Sequence, residues 1–316
     1  MGRYEVTQRE DAIAGTVVTL WDRARGLRAS AAPEYGFMWC GLAMEHREYG
    51  MVELLHCGED FARVARYGHG MSPVLFPIVG RLRCGEEIEC YRHKGRQYTM
   101  DIHGFAKDSV WENVESRATE EGATVRAELR DTPETREQYP FGFCFRLTYR
   151  LAGGHFHIVV EIESEGLFSV GFHPYFRTPF VPDAGTEEDC TVVIPARRFW
   201  ELRDLVPTGR VLELREPFRK GVSCVGRDLD VVLTDLIAED RGRVRSVLRD
   251  AASGIQVVLE AEARAFPEIV VYAPKDRPFV CIEPWTHPPN VLNREEMWAS
   301  KCSALKASIQ ITPSAS

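Results

Sequence analysis

Positive charge is scarce in this chain: 39 Lys and Arg stand against 47 Asp and Glu, for a net charge of −8. That balance excludes a broad basic face of the kind that nucleic acids or anionic membranes require. Long apolar runs are also missing. No stretch approaches the roughly 20 residues needed to span a bilayer, and the start, Met1-Gly2-Arg3-Tyr4-Glu5, has no apolar core of a secretory signal. The nine cysteines, at 40, 57, 84, 90, 144, 190, 224, 281 and 302, are odd in number and never spaced as CxxC. This argues against a disulfide framework or zinc knuckle and for reduced thiols, hence a soluble, cytoplasmic protein. Glycine-rich nucleotide fingerprints, internal repeats and low-complexity linkers are absent as well.

Long helical periods are lacking too, and what replaces them is alternation. Short runs with strand period recur between Gly, Pro, Asp and Asn punctuation: 15–20, 124–129, 143–151, 156–162, 190–194, 244–248, 255–259 and 269–272. The clearest helical signal is Asp131 to Tyr139, where Asp or Thr can cap and Pro133 sits early, and it predicts a connector of one or two turns. Regular strands without alternating long helices predict a large antiparallel β-sandwich, all-β, rather than a βαβ fold. The possible breaks at 182–186 and 239–242 are short enough to be loops, so a single domain over 1–316 is expected. Residues 45–70 read as an excursion over the surface.

Two segments carry the chemistry. His173 follows Val170-Gly171-Phe172 and precedes Pro174; Glu283 follows Phe279-Val280-Cys281-Ile282 and precedes Pro284. An imidazole and a carboxylate, each presented at the end of an apolar strand closed by proline, can move two protons across one substrate. A carboxylate continuing such a strand costs free energy unless it has a partner or a task, and a structural arginine would also satisfy it. Arg81, delivered by Pro73-Val74-Leu75-Phe76-Pro77-Ile78-Val79-Gly80, suits a polar ligand or simply starts the next strand. His103, beside Gly104, is either a structural histidine or a ligand contact, and Asp230 is either turn chemistry or a ligand contact. His155, His157 and Glu161 fall on one strand face in the order of a metal site, but a polar outer face explains the alternation without metal. Cys281 lies inside an apolar run, which suits an inert thiol.

Taken together, the segments 73–82, His103-Gly104-Phe105-Ala106, Gly171-Phe172-His173-Pro174, Leu229-Asp230 and Cys281-Ile282-Glu283-Pro284-Trp285 resemble the aldose 1-epimerase (galactose mutarotase) family, in its bacterial branch. The resemblance implies a large antiparallel sandwich that works without metal or organic cofactor on a small-molecule aldose sugar. It also implies Glu283 as general base, His173 as general acid, and His103, Arg81 and Asp230 as binders of sugar oxygens. Lys107 stands where the family often has arginine. With reference values of about 4.3 for Glu and about 6.5 for His, Glu283 is expected to be ionised and to help keep His173 protonated. The two are expected to face each other with room for a pyranose between them. A non-catalytic sugar-binding or regulatory protein is the alternative. So is a hexose-phosphate 1-epimerase, which would want further cations at the cleft rim, with Arg177, Lys107 and Arg294 as candidates.

Overall fold

Where the sequence alternates, burial alternates with it. Along the strand His155–Ser164, Phe156, Ile158, Val160 and Ile162 are buried, whereas His155, His157 and Val159 are half-buried. Each of these inward side chains, fully removed from water, contributes about 1.5–3 kcal/mol of hydrophobic free energy. The computed structural model describes residues 2–215, 218–223 and 227–315. All eight runs expected to be strands fall on observed strands, and the connector at 131–139 is the helix Pro133–Gln138, closed at its start by a reciprocal Thr132–Thr135 capping box.

The strands form a large antiparallel sandwich. One sheet has nine strands, in the spatial order Glu112–Thr119, Gly122–Arg130, Phe143–Ala152, His155–Ser164, Ala304–Ala315, Ile255–Glu262, Arg243–Asp250, Cys190–Val193 and Val222–Ser223. The second, of eight strands, contains the five that matter for the site: β1 (Gly171–Phe172), β2 (Tyr175–Arg177), β3 (Leu229–Leu236), β4 (Glu268–Ala273) and β5 (Phe279–Trp285). A five-stranded sheet made by residues 4–53 packs beside them. Val18, Leu42, Leu147, Ile158, Leu259, Leu233, Val271 and Ile282, drawn from all three sheets, belong to one hydrophobic cluster. Aromatic rings knit it together: Trp39 lies 4.7 Å from Phe156 and Phe76 lies 4.9 Å from Phe143, centroid to centroid.

Two expectations need correction. Residues 45–70 do not merely skirt the surface. Leu54, Leu55 and His56 are buried, the His56 amide donates to the Tyr175 carbonyl at 2.7 Å, and Leu55 bridges to Phe176. Charged residues at Glu45, Arg47 and Glu48 mask a strand-and-helix segment that packs against β2. Second, Pro284 does not end β5 but lies within it, opposite Ile269 of β4, and the strand continues to Trp285.

Candidate active site

The register of four neighbouring strands assembles the site. β1 and β2 are two short pieces on the same side of β5, with Gly171 opposite Trp285 and Tyr175 opposite Cys281. His173 lies midway between those pairs, and so stands across from Glu283. On the other side of β5, Val270 and Tyr272 of β4 pair with Glu283 and Cys281, and beyond them Asp230 and Val232 of β3 pair with Tyr272 and Val270. Because side chains alternate with period two, all of these residues project from one face of the sheet. Their neighbours Ile269, Val271, Val280 and Ile282 project from the other face into the core.

That face floors a cavity of about 300 Å³, walled by Gly80, Ile102, His103, His69, Leu202, Leu205 and Pro289. Four of the five expected site residues, Glu283, His173, His103 and Asp230, line it. Arg81 does not, although it adjoins the lining through Gly80; its Nε is buried without a hydrogen-bond partner among the described residues. His69 and Tyr272 line the cavity as well, and sequence reasoning missed both. Only the strand register, which puts Tyr272 beside Cys281 and so next to Glu283, would have pointed to the tyrosine.

His173 and Glu283 are both almost fully buried, with 8% and 1% of their surface exposed, and His173 Nε2 lies 3.2 Å from Glu283 Oε1. They are in direct contact, so no sugar ring fits between them; the open part of the cavity lies alongside the pair. Burial pushes the Glu283 carboxyl well above its ordinary range, and the Asp230 charge pushes the same way, while the Trp285 indole opposes both weakly. Burial also drives His173 well below 6.5, reinforced by His103. The expectation that Glu283 is ionised at neutral pH is therefore reversed: desolvation favours a protonated carboxyl beside a neutral imidazole. Because the two groups touch, they titrate as a pair that shares one proton.

His103 sits in the left-handed region at φ 68, followed by Gly104 at φ 73. A side chain at Gly104 would come within 2.3 Å of the Phe76 carbonyl oxygen, so this approach requires glycine. The Gly80 amide donates to His103 Nδ1 at 3.1 Å, and the His103 amide donates to the Gly80 carbonyl at 2.9 Å. With Nδ1 accepting, the ring proton resides on Nε2. Burial lowers the imidazole to about 3, so His103 is a neutral donor near neutral pH. Asp230 stands at the open mouth, where the partial enclosure of its carboxyl by the cleft walls raises it above its ordinary value.

Three buried polar atoms at the cleft have no hydrogen-bond partner among the described residues: Glu283 Oε2, His173 Nδ1 and Trp285 Nε1. Native proteins rarely leave such atoms unsatisfied without a ligand or water to receive them. His173, Cys281 and Glu283 offer ligand atoms within 4.8 Å of one another, the one grouping among the described residues that could hold a metal ion. His155, His157 and Glu161 do not gather into one, since His155 Nδ1 is 2.7 Å from Thr312 Oγ1 and Glu161 accepts from Lys306 at 2.7 Å. Burial raises the Cys281 thiol well above its ordinary value, as expected of an inert sulfur. The rim cations expected from sequence are engaged elsewhere in two cases. Lys107 contacts Asp108 and lies 3.6 Å from Asp101, and the Arg294 guanidinium lies over the Trp200 ring at 4.9 Å.

An antiparallel supersandwich whose sheet face presents a buried imidazole and carboxylate over a small polar cleft defines the class. The aldose 1-epimerase family model matches residues 21–304, and the chain belongs to that family. It is 27% identical over 232 residues to the chromosomal protein LacX of Lactococcus lactis subsp. lactis, spanning 70% of this chain and 75% of that one. Its fold is similar to that of a galactose mutarotase-like protein from Clostridium acetobutylicum, with a TM-score of 0.82 and 20% identity over 99% of both chains. It is also similar to galactose 1-epimerase from Lactobacillus acidophilus NCFM, with a TM-score of 0.74 and 16% identity over 100% of this chain and 99% of that one. No helix among the described residues is long and apolar enough to cross a membrane. Eight of the nine cysteines are free thiols, and Cys224 lies outside the described residues.

Proposed function

We propose that this protein interconverts the α and β anomers of an aldose by acid–base opening and closing of the sugar ring, with Glu283 and His173 as the reacting pair. The observation that carries the reading is their 3.2 Å contact on the floor of a cavity of about 300 Å³, a size at the lower end for ligand sites and suited to a monosaccharide. In a cyclic aldose the anomeric hydroxyl and the ring oxygen are bonded to the same carbon. A base and an acid that serve both oxygens at once must therefore stand side by side, as these do, rather than across the ring.

In the reacting form the shared proton lies on His173. Glu283 takes the proton of the anomeric hydroxyl, the bond from C1 to the ring oxygen breaks, and His173 gives its proton to that oxygen. The product is an open-chain aldehyde beside a protonated Glu283 and a neutral His173. Burial favours that uncharged state of the pair, so desolvation lowers the cost of ring opening. After rotation about C1–C2 the ring recloses on the other face, and both protons return. The chemistry needs proton transfer alone. His103 donates from Nε2 to a sugar oxygen, and Asp230 accepts from a hydroxyl at the mouth. Arg81 is proposed as a donor to the same ligand. Trp285 Nε1 is a further unsatisfied donor for it. The free thiols accord with a reducing, cytoplasmic setting.

The test is polarimetry on freshly dissolved α-glucose and α-galactose with and without protein. Acceleration of the drift to equilibrium supports the proposal. Sugar binding without acceleration would replace it with a non-catalytic sugar-binding protein.

A further inference from the structure

The acid–base chemistry proposed above uses Glu283 and His173 and leaves Cys281 without a task. The sulfur is nevertheless held at the same spot. Cys281 and Glu283 are alternate residues of β5, so both side chains leave the strand on the cleft face. His173 stands across from them, between the residues that pair with Trp285 and Cys281. One ligand atom from each of the three residues lies within 4.8 Å of the other two. This is a sheltered grouping rather than a patch of surface acids, since Cys281, Glu283 and His173 are 0%, 1% and 8% exposed. Independently of the sulfur, Glu283 Oε2 is buried with no hydrogen-bond partner among the described residues. Glu283 and His173 line the cleft, which gives a small ion its way in.

An imidazole nitrogen, a sulfur and a carboxylate oxygen form a donor set that favours a thiophilic cation such as zinc over magnesium or calcium, which prefer oxygen alone. Bond lengths of about 2.0–2.3 Å put the ligand atoms of a tetrahedral ion about 3.3–3.6 Å apart. The 3.2 Å between His173 Nε2 and Glu283 Oε1 already matches one edge of that tetrahedron. The sulfur completes the others with a shift of about 1 Å. A thiolate and a carboxylate cancel the two charges of the ion, so the filled site is neutral, as its depth requires. Two protons leave to solvent, one from the thiol and one from the histidine–glutamate pair. We infer that a thiophilic divalent cation binds Cys281, Glu283 and His173, with its fourth position open to the cleft, and that it switches off sugar turnover. The binding stands on the geometry; the inhibition rests on the epimerase reading. An ion at this place holds the imidazole nitrogen and a carboxylate oxygen together, so neither can carry a proton, and ion and sugar exclude each other.

The test uses tag-free wild-type protein and Cys281→Ala. Calorimetry follows zinc, with magnesium as the hard-cation control. Ultraviolet absorption follows cadmium through its sulfur-to-metal charge-transfer band, and NMR exchange between the anomers of glucose and galactose follows turnover. The expected result is one zinc per chain, no magnesium binding, a cadmium–thiolate band, and turnover that falls as zinc fills the site. Loss of a partner one step removed from a metal costs about 10–100-fold in affinity, so loss of the sulfur itself should cost at least about tenfold. Cys281→Ala should also lose the band and keep metal-free turnover close to wild type. A second measurement needs no variant: saturating aldose should weaken zinc binding. A band and an affinity that survive Cys281→Ala belong to other thiols, such as the exposed Cys302, and overturn the site. Absence of zinc binding overturns it too, and zinc bound without loss of turnover overturns the inhibition. If no aldose is turned over even without metal, the epimerase reading falls, while calorimetry and the cadmium band still decide the metal site.

Discussion

Replacing Glu283 by Gln removes one oxygen's basicity and leaves the shape of the cleft. In the wild type Glu283 Oε1 lies 3.2 Å from His173 Nε2; in the variant the amide can still contact the imidazole but can neither accept a proton nor return one. Loss of a positioned base costs about 10²–10⁴ in rate, or about 3–5 kcal/mol of transition-state stabilisation at 1.36 kcal/mol per decade. The loss should appear in kcat with KM nearly unchanged, because the other proposed sugar contacts, from His103, Asp230 and Trp285, remain. One- and two-dimensional exchange NMR on an equilibrated aldose measures the rate without a coupled assay, and calorimetry on the same sample measures affinity. The variant should fold at least as well as the wild type at pH 8, since it no longer buries a carboxyl that burial opposes ionising. The pH profile is a second readout. The active pair carries one proton, so the acid limb of wild-type kcat/KM should lie below about 6.5, the ordinary histidine value, in keeping with the lowered His173. A Glu283→Gln enzyme that turns over within tenfold of wild type would remove this residue from the mechanism and the reasoning with it.

Other perturbations separate binding, packing and charge. His103→Ala should raise KM about ten- to a hundredfold through loss of a buried donor, with kcat changed little; a pure kcat defect would mean that the ring takes part in proton transfer. Gly171→Ala places a methyl carbon 2.5 Å from Trp285 Cδ1 and 3.0 Å from Val79 Cγ1, so thermal melts should show about 1–3 kcal/mol of overpacking and activity should fall as Trp285 shifts. Glu268, 4% exposed and hydrogen-bonded by the Trp200 indole at 3.1 Å, is raised by burial to about 7. A carboxyl with a raised folded-state value keeps its full stability contribution below about 4.5 and loses it as pH climbs through about 7. Glu268→Gln should therefore match the wild type near pH 4.5 and exceed it by at most about 3 kcal/mol at pH 8, and melts showing no such divergence would refute the sign.

Alternation made the sandwich readable, because burial on one face and solvent on the other writes itself into every second residue, as in His155–Ser164. Edge and terminal strands hid for the same reason reversed. Glu112–Thr119 exposes all but one of its residues, and Val206–Glu213 contains both Pro207 and Gly209. At the site, His173, Glu283, His103 and Asp230 were legible because each stands beside a proline, a glycine or a strand boundary. His69 was not, since residues 45–70 carry charges that read as surface while their backbone is bound to β2. Ionisation was misread too. Reference values assume water around each group, and depth beneath the sheet face is a tertiary fact that no run of letters records.

The layout of the cleft floor carries a consequence for how such a protein can change its diet. Outward-facing side chains of β3, β4 and β5 form something like a tiled pavement, with Glu283, Val270 and Val232 along one row and Cys281, Tyr272 and Asp230 along the next. A peripheral tile can be exchanged without lifting those beneath the sheet, because the alternate residues that hold the two sheets together face the opposite way. On the proposed reading, new sugars are accommodated at the margins while the proton chemistry at the centre stays in register.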